Sequence, residues 1–127
     1  MNGKILIVED DASALRLIEF ALQQERYEVI VATNGLTGLK KAQTENPDLV
    51  ILDLMLPGLD GFEICSRLRK DPETEKVPIL ILSAKTHESD VATARAVGAD
   101  AYLTKSGDPS EIVAQVQTLI SQKPLII

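Results

Sequence analysis

Four stretches of this 127-residue chain carry side chains that could do chemistry together. Glu9-Asp10-Asp11 is an acidic run directly after Ile5-Leu6-Ile7-Val8, and Asp53 directly follows Leu49-Val50-Ile51-Leu52. Ser83-Ala84 ends the apolar run from Val77 to Leu82, and Lys105 lies just past Ala101-Tyr102-Leu103. Carboxylates brought close together repel, so ionising all of them is costly unless a cation intervenes. A hard divalent cation with oxygen ligands resolves this, and Mg2+ held by one or two carboxylates and waters suits phosphoryl chemistry. In such a site Asp53 is a candidate carboxylate nucleophile that would form an acyl phosphate. The metal and the Lys105 ammonium would neutralise the equatorial oxygens of the transferring group, and Ser83 could donate to one of them.

Each group alone has a plainer reading. An acidic run after a strand usually serves as a solvated loop or a helix cap, and Asp11 or Ser13 suits the cap of a first helix. Lys105 alone would be a surface charge and Ser83 a turn residue. The chemical reading therefore depends on whether the fold gathers these groups at one place.

The apolar runs supply the means. Those near positions 5, 29, 49, 79 and 101 do not alternate strictly, which predicts strands covered on both faces, as in a parallel sheet between helices. Between them the spacing is helical. Leu15, Ile18 and Leu22 follow Asp11, with Ala14 and Ala21 on the same side, and Leu36, Leu39 and Ala42 recur between Gly35 and Asn46. Asp60 and Glu63 suit a helix cap with its reciprocal acid, ahead of Phe62, Ile64 and Leu68, and Asp71-Pro72 closes that helix. A fourth, Ala-rich helix is expected between Thr86 and Val97 with Gly98 as its stop. Asp108-Pro109-Ser110-Glu111 opens a fifth, whose stripe is Ile112, Val113, Val116, Leu119 and Ile120. Five βα units with right-handed crossovers predict a doubly wound three-layer α/β domain over 1–122, with 123–127 as a tail or the start of a linker. In open α/β sheets the working site lies beyond the carboxyl ends of the strands, which is where Glu9, Asp10, Asp53, Ser83 and Lys105 all fall.

Composition excludes several classes. Thirteen basic against nineteen acidic residues give a net charge of -6, with no overall electrostatic footprint for nucleic acid or an anionic membrane. The single cysteine, Cys65, and single histidine, His87, cannot assemble a Cys/His zinc site, and a reducing, cytoplasmic compartment is expected. The apolar run after Lys4 is too short for a signal core or a membrane span. No GxGxxG or GxxxxGK[ST] motif is present for a nucleotide.

These motifs resemble the receiver domain of two-component response regulators over essentially the whole chain, from Lys4 to about Ile120. The matching stretches are Lys4 to Asp11, Pro47 to Gly61, Pro78 to Lys85 and Gly98 to Lys105. The resemblance implies a parallel five-stranded, flavodoxin-like sheet in the order 2-1-3-4-5. It implies Asp53 as the phosphorylated residue and Glu9 and Asp10 as the acidic pair serving Mg2+, with Asp10 in direct contact. It further implies Met55 as a backbone carbonyl ligand, Ser83 as the switch hydroxyl, Lys105 as the phosphate-contacting lysine and Tyr102 as the switch aromatic. Side chains at Met55 and Lys85 flank the site, where they either tune the lifetime of the acyl phosphate or are ordinary rim residues. His87 is expected at the surface, because the phosphorelay histidine belongs to a partner.

The implied partners are a histidine kinase or phosphotransfer protein and a downstream protein or domain. The latter would be read through the face of the fourth helix, fifth strand and fifth helix, including Ala92, Arg95, Ala96 and Thr104. A phosphorylation-dependent homodimer is a further form that this face could serve. Two residues depart from the family pattern. Ser106 replaces the usual proline after the lysine, leaving the Lys105-Ser106 peptide either trans or held cis by packing. Ala101 stands where the subfamily with a winged-helix output often has an acid for a charged dimer face. The competing expectation is a receiver that is never phosphorylated and acts as a constitutive docking module. A turnover enzyme would need a cap segment that five βα units leave no room for.

Overall fold

Strand and helix alternate throughout the computed structural model, which describes residues 2–57, 59–84, 88–105 and 108–122. The order is β1 (Lys4–Val8), α1 (Ala12–Gln24), β2 (Glu28–Ala32), α2 (Gly35–Glu45), β3 (Leu49–Asp53), α3 (Gly61–Lys70), β4 (Ile79–Ser83), α4 (Glu88–Ala96), β5 (Ala101–Thr104) and α5 (Pro109–Ser121). Lys85, His87, Ser106 and the tail 123–127 lie outside the described residues, so the expectations placed on them do too. All strand pairs are parallel, and the sheet order is β2-β1-β3-β4-β5, the doubly wound arrangement expected.

The unalternating apolar runs have a direct cause in the layers. Ile5, Ile7, Leu49, Ile51, Leu80 and Leu82 face α1 and α5, where Ile18, Leu22, Ile112, Val116 and Leu119 meet them. Leu6, Val8, Val50, Leu52, Ile79 and Ile81 face the other way, against Leu39, Ala42, Ile64, Cys65, Leu68 and Ala94. Only central strands covered on both sides permit that pattern. The edge strand β2 is less buried, and Lys41 Nζ donates to Val31 O at 2.6 Å beside it. Among the described residues no helix is long and apolar enough to cross a membrane.

The caps expected at Asp11, Asp60 and Asp108 form, and Asn34, not expected, caps α2; each accepts a backbone N–H of its own helix at 2.9–3.0 Å. The reciprocal role expected of Glu63 is not what it serves: its carboxylate turns away from the cap to accept Arg67 Nε–H at 3.0 Å, one turn along the helix. One expected core position is wrong: Leu36 is 60% exposed. The inward face of α2 is Gly35, Gly38, Leu39 and Ala42, spaced i, i+3, i+4, i+7, and that helical face leaves Leu36 outside.

A single guanidinium ties the end of the sheet opposite the acids. Arg69 Nε donates to Gly98 O at 2.9 Å, Nη1 to Glu75 O at 3.0 Å and Val77 O at 2.7 Å, and Nη2 to Asp100 Oδ2 at 2.7 Å. The same Asp100 oxygen accepts Ile79 N–H at 2.8 Å. Gly98 ends α4 with φ at +99°, and a Cβ there would stand 2.7 Å from Arg69 Cγ. Glycine is therefore required both for the left-handed turn and for the close approach. Arg69→Ala should cost about 2 kcal/mol, since four charge-assisted contacts vanish and half-buried carbonyls lose their donor. Arg69→Lys should recover little, because a point charge cannot reproduce the planar fork. Urea unfolding measures both, and a loss below about 0.5 kcal/mol would show that the clamp carries no weight.

Candidate functional site

The strand register brings the chemical groups to one edge. Val8 pairs with Leu52, so Glu9 and Asp53 emerge side by side, and Glu9 N–H extends the ladder by donating to Ala32 O at 3.0 Å. Asp53 pairs with Leu82, which places Ser83 one position farther out on β4. Ser83 pairs with Thr104, and Lys105 N–H donates to Ser83 O at 2.7 Å, aligning Lys105 just beyond β5.

From there the lysine reaches across the end of β4. Lys105 Nζ stands 2.9 Å from Asp53 Oδ2 and pairs also with Glu9 Oε1. Asp53 Oδ1 accepts Met55 N–H at 3.2 Å, and Glu9 Oε2 accepts Asp11 N–H at 3.3 Å. Glu9 and Asp53 are 1% and 5% exposed, whereas Asp10 is exposed at the mouth. Carboxylate oxygens of Glu9, Asp10 and Asp53 lie within 4.8 Å of one another. The structure thus brings together Glu9, Asp10, Asp53 and Lys105. Ser83 is buried beside them, Met55 is exposed at the rim, and Tyr102 is half-buried on β5, packed against the core of the α2–α3–α4 side.

The donor set fits a hard divalent cation. It consists of carboxylate oxygens, two of the three groups are buried, and Glu9 Oε1 is enclosed without a well-formed hydrogen bond among the described residues. An acidic ligand cluster suited to such a cation is therefore present. Sequence reasoning missed the unequal burial of the acidic pair and the backbone donors of Asp11 and Met55 that orient the carboxylates. It also missed the apolar dent of about 70 Å³ where the Lys105 stem meets Ala14, Leu17, Ile18, Leu82 and Ile112. These arise from α1 and α5 packing, which no local motif encodes.

Electrostatics follow from the crowding. Burial, and then the Asp53 carboxylate beside it, push Glu9 from 4.5 up to about 7, while Lys105 and Asp11 N–H pull the other way. Burial lowers the tendency of Lys105 to stay charged, but Glu9 and Asp53 together outweigh it and hold its pKa above 10.5. The lysine's contribution to stability is thus present below pH 10.5 and lost above that range. For Glu9 the sign is opposite. The folded state binds the proton more tightly than the unfolded chain, so stability falls as pH rises from 4.5 to about 7. In metal-free protein this decline should amount to on the order of 1–2 kcal/mol relative to Glu9→Gln, which lacks the titrating group. Denaturation in chelator at pH 5 and pH 8 checks it, and parallel pH profiles for the two proteins would contradict it.

Comparison with known proteins accords with this geometry. Residues 5–117 match the model of the response regulator receiver domain. The alkaline phosphatase synthesis transcriptional regulatory protein PhoP of Bacillus subtilis (strain 168) is 43% identical over 125 residues, which cover 98% of this chain and 51% of that protein. The chain therefore spans about half the length of this curated relative. The BeF3-activated N-terminal receiver domain of Klebsiella pneumoniae RstA superposes with a TM-score of 0.86 at 32% identity, covering 94% of this chain and 99% of that one. The Mn2+-bound form of response regulator Rcp1 superposes with a TM-score of 0.80 at 28% identity, covering 98% and 99%. With its strand order, its acidic edge and its sequence all of one type, the chain belongs to the response regulator receiver domain family.

Proposed function

We propose that Asp53 is the phosphoacceptor of this receiver domain and takes its phosphoryl group from a phosphohistidine on a histidine kinase or phosphotransfer protein. The observation that carries this reading is the convergence of Glu9, Asp10 and Asp53 with a lysine ammonium 2.9 Å from the Asp53 carboxylate. An Asp53 oxygen bonds to phosphorus as the donor's phosphorus–nitrogen bond breaks, and the electron pair returns to the imidazole, which takes up a proton. In the reverse sense water attacks phosphorus, the Asp53–phosphoryl linkage opens, and inorganic phosphate leaves. The domain thus catalyses only its own phosphorylation and dephosphorylation.

We infer Mg2+ as the cation, held by Glu9, Asp10, Asp53 and the Met55 carbonyl, and when bound it neutralises charge on the phosphoryl oxygens. That the similarly folded response regulator Rcp1 has a Mn2+-bound form supports a divalent ion for this fold. Glu9 is engaged by Lys105, which leaves exposed Asp10 for direct contact. Lys105 holds a second side of the phosphoryl group, and the Ser83 hydroxyl donates to a third oxygen. The exposed Met55 side chain, together with Lys85, screens the acyl phosphate from water and sets its lifetime.

Signalling is read as a change of surface. As Ser83 moves toward the new oxygens, Tyr102, in register with Ile81 on β4, turns inward. The face of α4, β5 and α5 then changes shape, with Ala92, Arg95 and Ala96 exposed upon it and Thr104 half-buried. A downstream protein or domain, or a second copy of the domain, reads that face. The domain is assigned to 1–122 and to the cytoplasm, where Cys65, buried and with its thiol pushed up to about 11 by burial, stays reduced.

Incubation with a small-molecule phosphodonor and Mg2+, followed by intact mass, tests the assignment. Wild type should gain the mass of one phosphoryl group, and Asp53→Asn should not. No gain in wild type would favour a docking-only receiver, and a gain retained in Asp53→Asn would place the phosphoryl group elsewhere.

A further inference from the structure

Gly35, at the start of α2, meets the loop that leaves Asp53 at Pro57 and Leu59. Asn34 caps α2 by accepting Thr37 N–H at 2.9 Å. Gly35 N–H has no acceptor within the helix, as at any helix start, and donates instead to Pro57 O at 3.1 Å. On the same side, a Cβ at Gly35 would stand 2.9 Å from Leu59 N and closer still to the Leu59 carbonyl oxygen. Both obstacles are backbone, which cannot turn aside as a side chain can.

An added methyl group must therefore displace either α2 or the loop. α2 is the harder of the two to move. Gly38, one turn on, sits where a Cβ would be 2.7 Å from Val8 Cγ1, and Leu39 and Ala42 are buried in the core. The loop is the softer side: Met55 is 65% exposed, and its N–H holds Asp53 Oδ1 at 3.2 Å. Any displacement of Pro57 and Leu59 is thus passed back toward Met55 and the Asp53 carboxylate.

We propose that Gly35 is a positioning residue for the Asp53 site: by admitting the Pro57 and Leu59 backbone against α2, it sets where Met55 and Asp53 present their oxygens to a divalent cation. This rests on the reading of Asp53 and Met55 as cation ligands. The matched control is Gly38→Ala, which strains the same helix against the Val8 side chain without touching the loop.

Titration with Mn2+, together with thermal unfolding, compares wild type, Gly35→Ala and Gly38→Ala. Gly35→Ala should weaken Mn2+ binding by roughly tenfold to a hundredfold, the range for loss of an outer support, while Gly38→Ala stays within about threefold. Unchanged affinity in Gly35→Ala, or equal losses in both variants, would overturn the proposal. Should Gly35→Ala fail to fold, amide exchange in wild type decides. Mg2+ should slow exchange of Gly35 N–H by roughly tenfold, since ordering the loop protects its bond to Pro57, and an unchanged rate would overturn the proposal. Failure of wild type itself to take up Mn2+ would instead overturn the ligand assignment beneath it.

Discussion

Two buried carboxylates, Glu9 and Asp53, share one ammonium, and the whole sheet edge is organised around that shortage of positive charge. Water cannot solvate the pair, because both are almost fully covered, so each acid depends on what the protein holds nearby. Lys105 supplies one charge against two, and exposed Asp10 adds a third acid within reach. Burial first, and then the neighbouring Asp53 carboxylate, raise the pKa of Glu9. A divalent cation held by the three acids would relieve the imbalance. The same crowding that makes the apo site unfavourable is what makes it responsive.

The rest of the fold serves to hold those groups against their repulsion. A one-residue slip of a strand buried on both faces would swap its two packed layers between the helix sets and draw the acid at its end out of line, so packing holds Glu9, Asp53, Ser83 and Lys105 at their relative heights. Cap residues orient the chain where it turns. Asp11 both opens α1 and donates to Glu9, and Met55 N–H points at Asp53 from the loop that α2 braces. At the opposite edge Arg69 gathers the ends of α3, α4 and the approach to β4. The domain is thus clamped by a guanidinium at one edge and crowded with like charge at the other.

Much of this was legible in the sequence, for physical reasons that differ by element. The central strands read clearly because burial on both faces leaves an unbroken apolar run, as in Leu49 to Leu52. The strand ends then named the site, since a parallel sheet sends every strand's carboxyl end the same way. Helix starts at Asp60 and Asp108 were legible because caps are local chemistry. Leu36 falls outside because the three-residue spacing of apolar residues does not mark the inward face of α2, which Gly35 and Gly38 occupy by having no side chain at all. Contacts made through absent side chains leave no apolar signature. The unequal burial of Glu9 and Asp10 was equally invisible, because which of two neighbours at a strand end is covered depends on how the flanking helices and loops pack over it.

Buried together, Glu9 and Asp53 share too little positive charge until a divalent cation binds. Carboxyl-carbon NMR of Glu9 through a pH titration, with and without saturating Mg2+, decides this. A midpoint of about 7 is expected in the metal-free protein, falling below the ordinary value of 4.5 when Mg2+ is present. A metal-free midpoint already at the ordinary value, or one that Mg2+ leaves in place, would contradict it.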